Sequence, residues 1–170
     1  MITPLHANDS HIDELVQVAI EIWHEHYDMI IGVDQVDYML AKFQSKKAIV
    51  DQMRDGYQYF LIFRANLLVG YFSMKSMPKF LFLSKFYVKK SERGFGYGRS
   101  VIDFLCVQAK SLGQPNIQLT VNKNNTSSLA AYAKLGFHNV GSVVSDIGQG
   151  YVMDDFILEL PITVPQLHTN

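Results

Sequence analysis

The sequence has a single cysteine, Cys106, which excludes an intrachain disulfide framework and any metal site built from several thiolates. It also lacks an excess of either charge. Its 15 Lys and Arg stand against 16 Asp and Glu, so there is no net positive field of the kind that binding to a phosphate backbone requires. No apolar run is long enough to span a bilayer, and the opening residues, Met1 to Glu14, lack a basic start followed by an apolar stretch. Repeats, low-complexity tracts and linkers are missing as well. These absences set the expectations: a cytoplasmic protein with no nucleic-acid partner, no membrane partner and no metal.

The chain is 170 residues long and 48% hydrophobic, enough to fill the core of one domain spanning 1–170. Ile2 to Leu5 can form a short strand, and Asn8, Asp9 and Ser10 offer capping oxygens to a helix bearing Ile12, Leu15, Val16, Ala19 and Trp23 at helical spacing. That helix is expected to end between Tyr27 and Gly32. A second helical region runs from Asp34 to Asp55 and stops at Gly56. From Tyr57 the composition turns aromatic and β-branched. Tyr57–Phe63 and Leu67–Phe72 predict a hairpin around Ala65-Asn66, and Phe80–Val88 predicts a third strand. Ser100–Leu112 is an amphipathic helix closed by Gly113. A strand at Ile117–Val121, a short helix at Asn125–Leu135 and strands near Val140–Val144 and Tyr151–Leu160 complete the order. The expected class is α/β, with a mixed sheet of about six to seven strands flanked by helices.

Chemistry concentrates where the third strand meets the amphipathic helix, at Arg93-Gly94-Phe95-Gly96-Tyr97-Gly98-Arg99-Ser100. Glycines let a backbone approach a ligand closely, and the first turn of a helix presents N–H groups and a dipole that favour an anion. Arg93 and Arg99 add charge, so a pyrophosphate fits the local pattern. The segment does not end in Gly-Lys-Ser/Thr, which excludes the usual P-loop. Its glycines alternate after a hairpin, which excludes a dinucleotide fingerprint. Taken alone, it reads equally well as a tight turn whose glycines serve packing.

A second signal lies downstream, where Asn125 or Thr126 can cap a helix carrying Tyr132 two turns on and ending in Leu135-Gly136-Phe137. With both motifs in this order, the chain resembles the GNAT N-acetyltransferase superfamily over Tyr57 to Leu160. Arg93, Gly96 and Gly98 match its cofactor-loop pattern. The stretch Ser84–Val88 and the closing Asp154–Glu159 are similar to a branch of small bacterial enzymes that includes polyamine acetyltransferases.

The resemblance implies a mostly antiparallel sheet, acetyl-CoA as co-substrate, and a strand–loop–helix donor site after the central strand. On it, Phe86, Tyr87 and Val88 pair with the pantetheine arm. Arg93, Gly94, Phe95, Gly96, Tyr97, Gly98, Arg99 and Ser100 hold the pyrophosphate, and Asn125 and Lys134 add cofactor contacts. Residues 1–56 shape the acceptor side, 57–112 carry the hairpin, central strand, loop and helix, and 113–170 form the closing unit. Family members often dimerise, so a homodimer is an expectation of the resemblance.

Acyl transfer to an amine needs a neutral nucleophile, a stabilised oxyanion and a proton for the leaving thiolate. The resemblance makes Tyr132 the general acid, since a phenol has basicity comparable to a thiolate, and gives the oxyanion a backbone N–H of Phe86 to Val88. No base is identified, because Ser84-Lys85 occupies the central strand without a carboxylate. Glu21, Glu25, Asp28, Asp154 and Asp155 stay unassigned. His24 and His26 point to opposite sides of their helix, and Cys106 reads as a small core residue. Trp23, Tyr27, Tyr57, Tyr59 and Phe60 fit an acceptor wall or ordinary core. The acceptor is expected to be a small amine or polyamine. Protein N-terminal or lysine acetylation and a non-catalytic acyl-CoA sensor are the alternatives.

Overall fold

The computed structural model describes residues 1–6 and 9–163. In chain order the elements are β1 (Ile2–Leu5), α1 (His11–Ile31), α2 (Val33–Phe43), α3 (Lys46–Arg54), β2 (Gln58–Arg64), β3 (Leu67–Ser76) and β4 (Leu81–Val88). A 3₁₀ turn (Lys90–Glu92) follows, then α4 (Tyr97–Ser111), β5 (Asn116–Asn122), α5 (Thr126–Lys134), β6 (His138–Gly148) and β7 (Tyr151–Pro161). The strands form one seven-stranded sheet in the order β1-β2-β3-β4-β5-β7-β6. It is mostly antiparallel; β4 and β5 are parallel, and their ladder is confined to Leu81–Ile117 and Phe82–Gln118. This is the expected α/β class.

The described residues group into two compact units, those within 1–75 and 83–97, and those within 76–82 and 98–163. In the first, α1 buries Ile12, Leu15, Val18, Ala19, Ile22 and Trp23, so Val18 and Ile22 join the expected stripe while Val16 is half-buried. Of its expected caps, Asn8 lies outside the described residues, Ser10 makes no side-chain cap, and Asp9 Oδ1 accepts from His11 N at 2.9 Å. Gly32, at φ 86°, ends the helix. The region expected as one helix from Asp34 to Asp55 is two. Ser45 turns extended and its hydroxyl accepts from Ala48 N at 3.3 Å, capping α3 and breaking the run without glycine or proline.

β2 and β3 meet through a turn in which Ala65 takes φ 51°, and consecutive side chains from Tyr59 to Ile62 and Leu68 to Met74 are buried on both faces. Gly70 is required by packing. A Cβ there would stand 2.5 Å from the Tyr87 carbonyl oxygen and 3.1 Å from Val88 Cα, so β3 and β4 approach closely at the end of the central strand.

In the second unit, Val101, Ile102, Leu105 and Ala109 of α4 form the buried face of an amphipathic helix. Gly113 (φ 67°) closes α4, and Gly136 (φ 98°) follows α5. α4 begins at Tyr97, three residues ahead of the expected Ser100, because the left-handed conformation ends at Gly96 (φ 87°) and Gly98 is already helical.

Candidate active site

Burial alternates along β4: Leu81, Leu83 and Lys85 are buried, whereas Phe82, Ser84 and Phe86 are half-buried. The Tyr87 ring lies in an aromatic cluster, 5.4 Å from Trp23, 6.5 Å from Tyr27 and 5.4 Å from Tyr71. The end of β4 is held in three ways. Lys89 N donates to Val69 O at 2.9 Å, Arg93 Nε donates to Val88 O at 3.2 Å, and the Lys89 ammonium pairs with Glu21 at 2.8 Å. The Arg93 guanidinium also lies 3.5 Å from His26.

The 3₁₀ turn that leads into the glycines is anchored by Glu92, which is 5% exposed and accepts from the Arg64 Nε at 2.8 Å and from its terminal nitrogen. A bidentate Arg–carboxylate pair fixes orientation as well as distance, so the loop starts from a rigid base. Gly94 (φ 85°) and Gly96 (φ 87°) take backbone angles that side chains disfavour, and a methyl built on either meets nothing within 4 Å. Phe95 between them is 71% exposed. Space is thus open where a side chain at either glycine would stand.

In the second unit, α4 has no acidic residue in its first turn, where Gly98, Arg99 and Ser100 lie. Gly98 faces the Leu135 side chain, a Cβ there standing 3.5 Å from it. Asn125 is 1% exposed and its carboxamide oxygen accepts from Ser128 N and Ser127 Oγ, both at 3.3 Å. It faces the interior as the cap of α5 rather than presenting its side chain outward. α5 buries none of its residues. Tyr132 is half-buried with its ring edge-on to Phe137 at 5.5 Å, and Lys134 is exposed.

Asp155, left unassigned on sequence, is a carboxylate that the fold buries. It is 8% exposed on β7, opposite Asn122 of β5, and burial pushes its carboxyl up, helped by the charge of Asp154; Thr120 and Lys123 offset part of that. Asp154 is different, being paired with Lys123. Of the other acids, Glu21 pairs with Lys89 and Asp28 with His24, while Glu25 is exposed.

Residues set aside on sequence behave differently from one another. His24 bridges Asp28 (2.9 Å) and Asp37 (3.2 Å), and among the described residues no cluster of three or more His, Cys, Asp or Glu could hold a metal. Cys106 lines a pocket of about 240 Å³ with Arg99, Asp103 and Leu135. Burial, then the charge of Asp103, raises its thiol pKa, which keeps it protonated and weakly nucleophilic. That pocket contains neither Tyr132 nor Gly94, Gly96 or Gly98. Among the described residues no helix is long and apolar enough to cross a membrane.

A strand, a glycine turn and a helix N-terminus, in a mostly antiparallel seven-stranded sheet, define an α/β fold of the acetyltransferase type. Residues 18–137 match the family described as "Acetyltransferase (GNAT) family", and the chain belongs to it. It is therefore an acetyltransferase of that family, whose members take acetyl-CoA as co-substrate.

A comparison with curated protein sequences finds no match. Solved structures share the fold at low identity. The PaiA N-acetyltransferase of Thermoplasma acidophilum, solved with coenzyme A, is 20% identical, with 95% of this chain and 98% of that chain covered and a TM-score of 0.76. A GCN5-related N-acetyltransferase of Rhodopseudomonas palustris is 14% identical, with 95% of each chain covered and a TM-score of 0.80. The ribosomal-protein-S18-alanine N-acetyltransferase of Escherichia coli is 17% identical, with 100% and 98% covered and a TM-score of 0.68.

Proposed function

We propose that the chain transfers an acetyl group from acetyl-CoA to the primary amine of a small molecule by direct attack on the thioester. The observation that carries this reading is the glycine turn: Gly94 and Gly96 hold positive φ, and a Cβ built on either would meet nothing within 4 Å, at the start of a helix without acidic residues in its first turn. Backbone N–H groups in such a turn suit a pyrophosphate, with Arg93, Phe95, Tyr97, Gly98, Arg99 and Ser100 completing the cradle. A β4–β5 ladder confined to two pairs supports the assignment of Phe86, Tyr87 and Val88 to the pantetheine arm, through their backbone rather than their side chains. The uncovered surface of α5 supports a ligand contact along Asn125, Tyr132 and Lys134, with Asn125 acting through the helix it caps.

When bound, acetyl-CoA supplies the activated acyl carbon. A backbone N–H of Phe86 to Val88 stabilises the oxyanion. The acceptor's ammonium gives its proton to water, and the amine lone pair then forms the new C–N bond. The C–S bond breaks and Tyr132 O–H donates its proton to the sulfur.

Thiol release from acetyl-CoA over a panel of amines tests the reading. Tyr132→Phe is expected to lower kcat by roughly 10²–10⁴-fold with the KM for acetyl-CoA little changed. Unchanged kinetics in Tyr132→Phe would remove it as the acid. Measurable CoA binding with no thiol release from any acceptor would favour a sensor.

A further inference from the structure

Lys85 is the anomaly of the first unit. It is 8% exposed on β4, one residue before the strand assigned above to the donor, and no carboxylate pairs with it among the described residues. Its ammonium donates to Gln52 Oε1 at 2.6 Å, and that same oxygen accepts from the Tyr59 hydroxyl at 2.6 Å. Gln52 Nε2 is spent on Phe43 O at 3.0 Å, so the carboxamide has little left to give. Around the amine stand aromatic faces, Tyr59 at 5.5 Å and Tyr57 at 6.0 Å. A second amine, Lys75, lies 4.7 Å from the same Tyr57 ring and is half-buried. The acids beside Gln52 in the chain do not serve it, since Asp51 is taken by Lys47 and Arg54 and Asp55 is exposed, and Glu92 is taken by Arg64. Burial alone pushes the Lys85 pKa down to about 8.

A buried ammonium with unspent N–H donors and a neighbour of like charge, walled by tyrosines, repels cations and is relieved by an anion. We infer that Lys85 and Lys75 at Tyr57 form the specificity site for the acceptor, binding an anionic oxygen group, a carboxylate or a phosphoryl group, carried by the same small molecule that bears the amine. Lys85 stands about 3.3 Å of strand rise from Phe86, so an anion at its amine is held next to the strand that carries the donor. The inference rests on the acetyltransfer reading above and narrows it: polyamines, which bear no anion, become poor acceptors.

Matched pairs of amines that differ only in the anion test this. Glycine is compared with glycinamide, β-alanine with β-alaninamide, and phosphoethanolamine with ethanolamine, with putrescine as a polycation. Thiol release gives kcat/KM for each, and calorimetric titration into the CoA-loaded protein gives binding independent of turnover. The expected result is at least a ~10-fold preference for an anionic member of one or more pairs. The pair showing it separates carboxylate from phosphoryl recognition. Lys85→Met is expected to abolish the preference. Lys75→Met, at a half-exposed position, reduces it with the fold intact. Equal use of both members of every pair, a preference for putrescine, or a uniform loss across all amines in folded Lys85→Met would overturn the inference. Lys85-dependent binding of an anionic amine without thiol release would uphold the anion site and remove the acetyltransfer reading instead. Failure of every anionic amine to bind would remove the site.

Discussion

Lys85 and Asp155 are both charged side chains taken out of water, and the sequence gives no warning of either, because Lys and Asp are ordinarily exposed and nothing in their spacing marks burial. What betrays them is their surroundings: Tyr57, Tyr59 and Gln52 for the one, β5 and Asp154 for the other. The Lys85 shift has a definite consequence for stability. The folded pKa of about 8 lies below the ordinary 10.5, so between those values the unfolded chain binds more protons than the native one and stability rises with pH. Below about pH 8 the amine is charged in both states and its burial costs the fold about 3 kcal/mol relative to high pH. Urea unfolding of wild type and Lys85→Met at several pH values isolates this from other titrating groups. Wild type is expected to gain on the variant as pH rises from 8 to 10.5, and a pH-independent difference would contradict the environment described.

At the scale of elements, the readable features are those with a local cause. Gly56, Gly113 and Gly136 stand at positive φ where the sequence places helix ends, and Asn125 caps the helix it was expected to cap. The break at Gln44-Ser45 is hidden, since it depends on a serine cap inside an otherwise helical run. Gly70 is hidden as well, because its need arises from β4, which is remote in sequence. Adding a methyl there drives it into the Tyr87 carbonyl oxygen, backbone that can yield only by moving the end of β4. Gly70→Ala is therefore expected to lower stability by about 1–3 kcal/mol, read by thermal or urea unfolding. It is also expected to weaken acetyl-CoA binding, because Tyr87 and Val88 are the backbone assigned to the pantetheine arm. Normal stability with normal acetyl-CoA affinity would mean that β3 and β4 are not in close contact there.

For the molecule as a whole, the succession of elements and the two motifs were legible from Tyr57 onward because hydrophobic period, glycine punctuation and capping agree with one another. The acceptor side was not, since α1 to α3 present no motif and their polar contacts cross between elements, as Gln52 shows in reaching Tyr59, Lys85 and Phe43. The family match over residues 18–137 and the shared fold speak to the donor chemistry and leave the acceptor to the residues themselves. The claim on which the rest depends is that Arg93 to Ser100 cradles the acetyl-CoA pyrophosphate. Calorimetric titration of acetyl-CoA into wild type and Gly96→Val, with an unfolding curve for each, tests it most directly. A side chain at Gly96 meets open space but forces an unfavourable φ, so the fold should lose only about 1–3 kcal/mol while acetyl-CoA affinity falls by at least ~10-fold, whichever amine is present. Wild-type affinity in folded Gly96→Val, or a defect confined to one acceptor, would contradict the assignment.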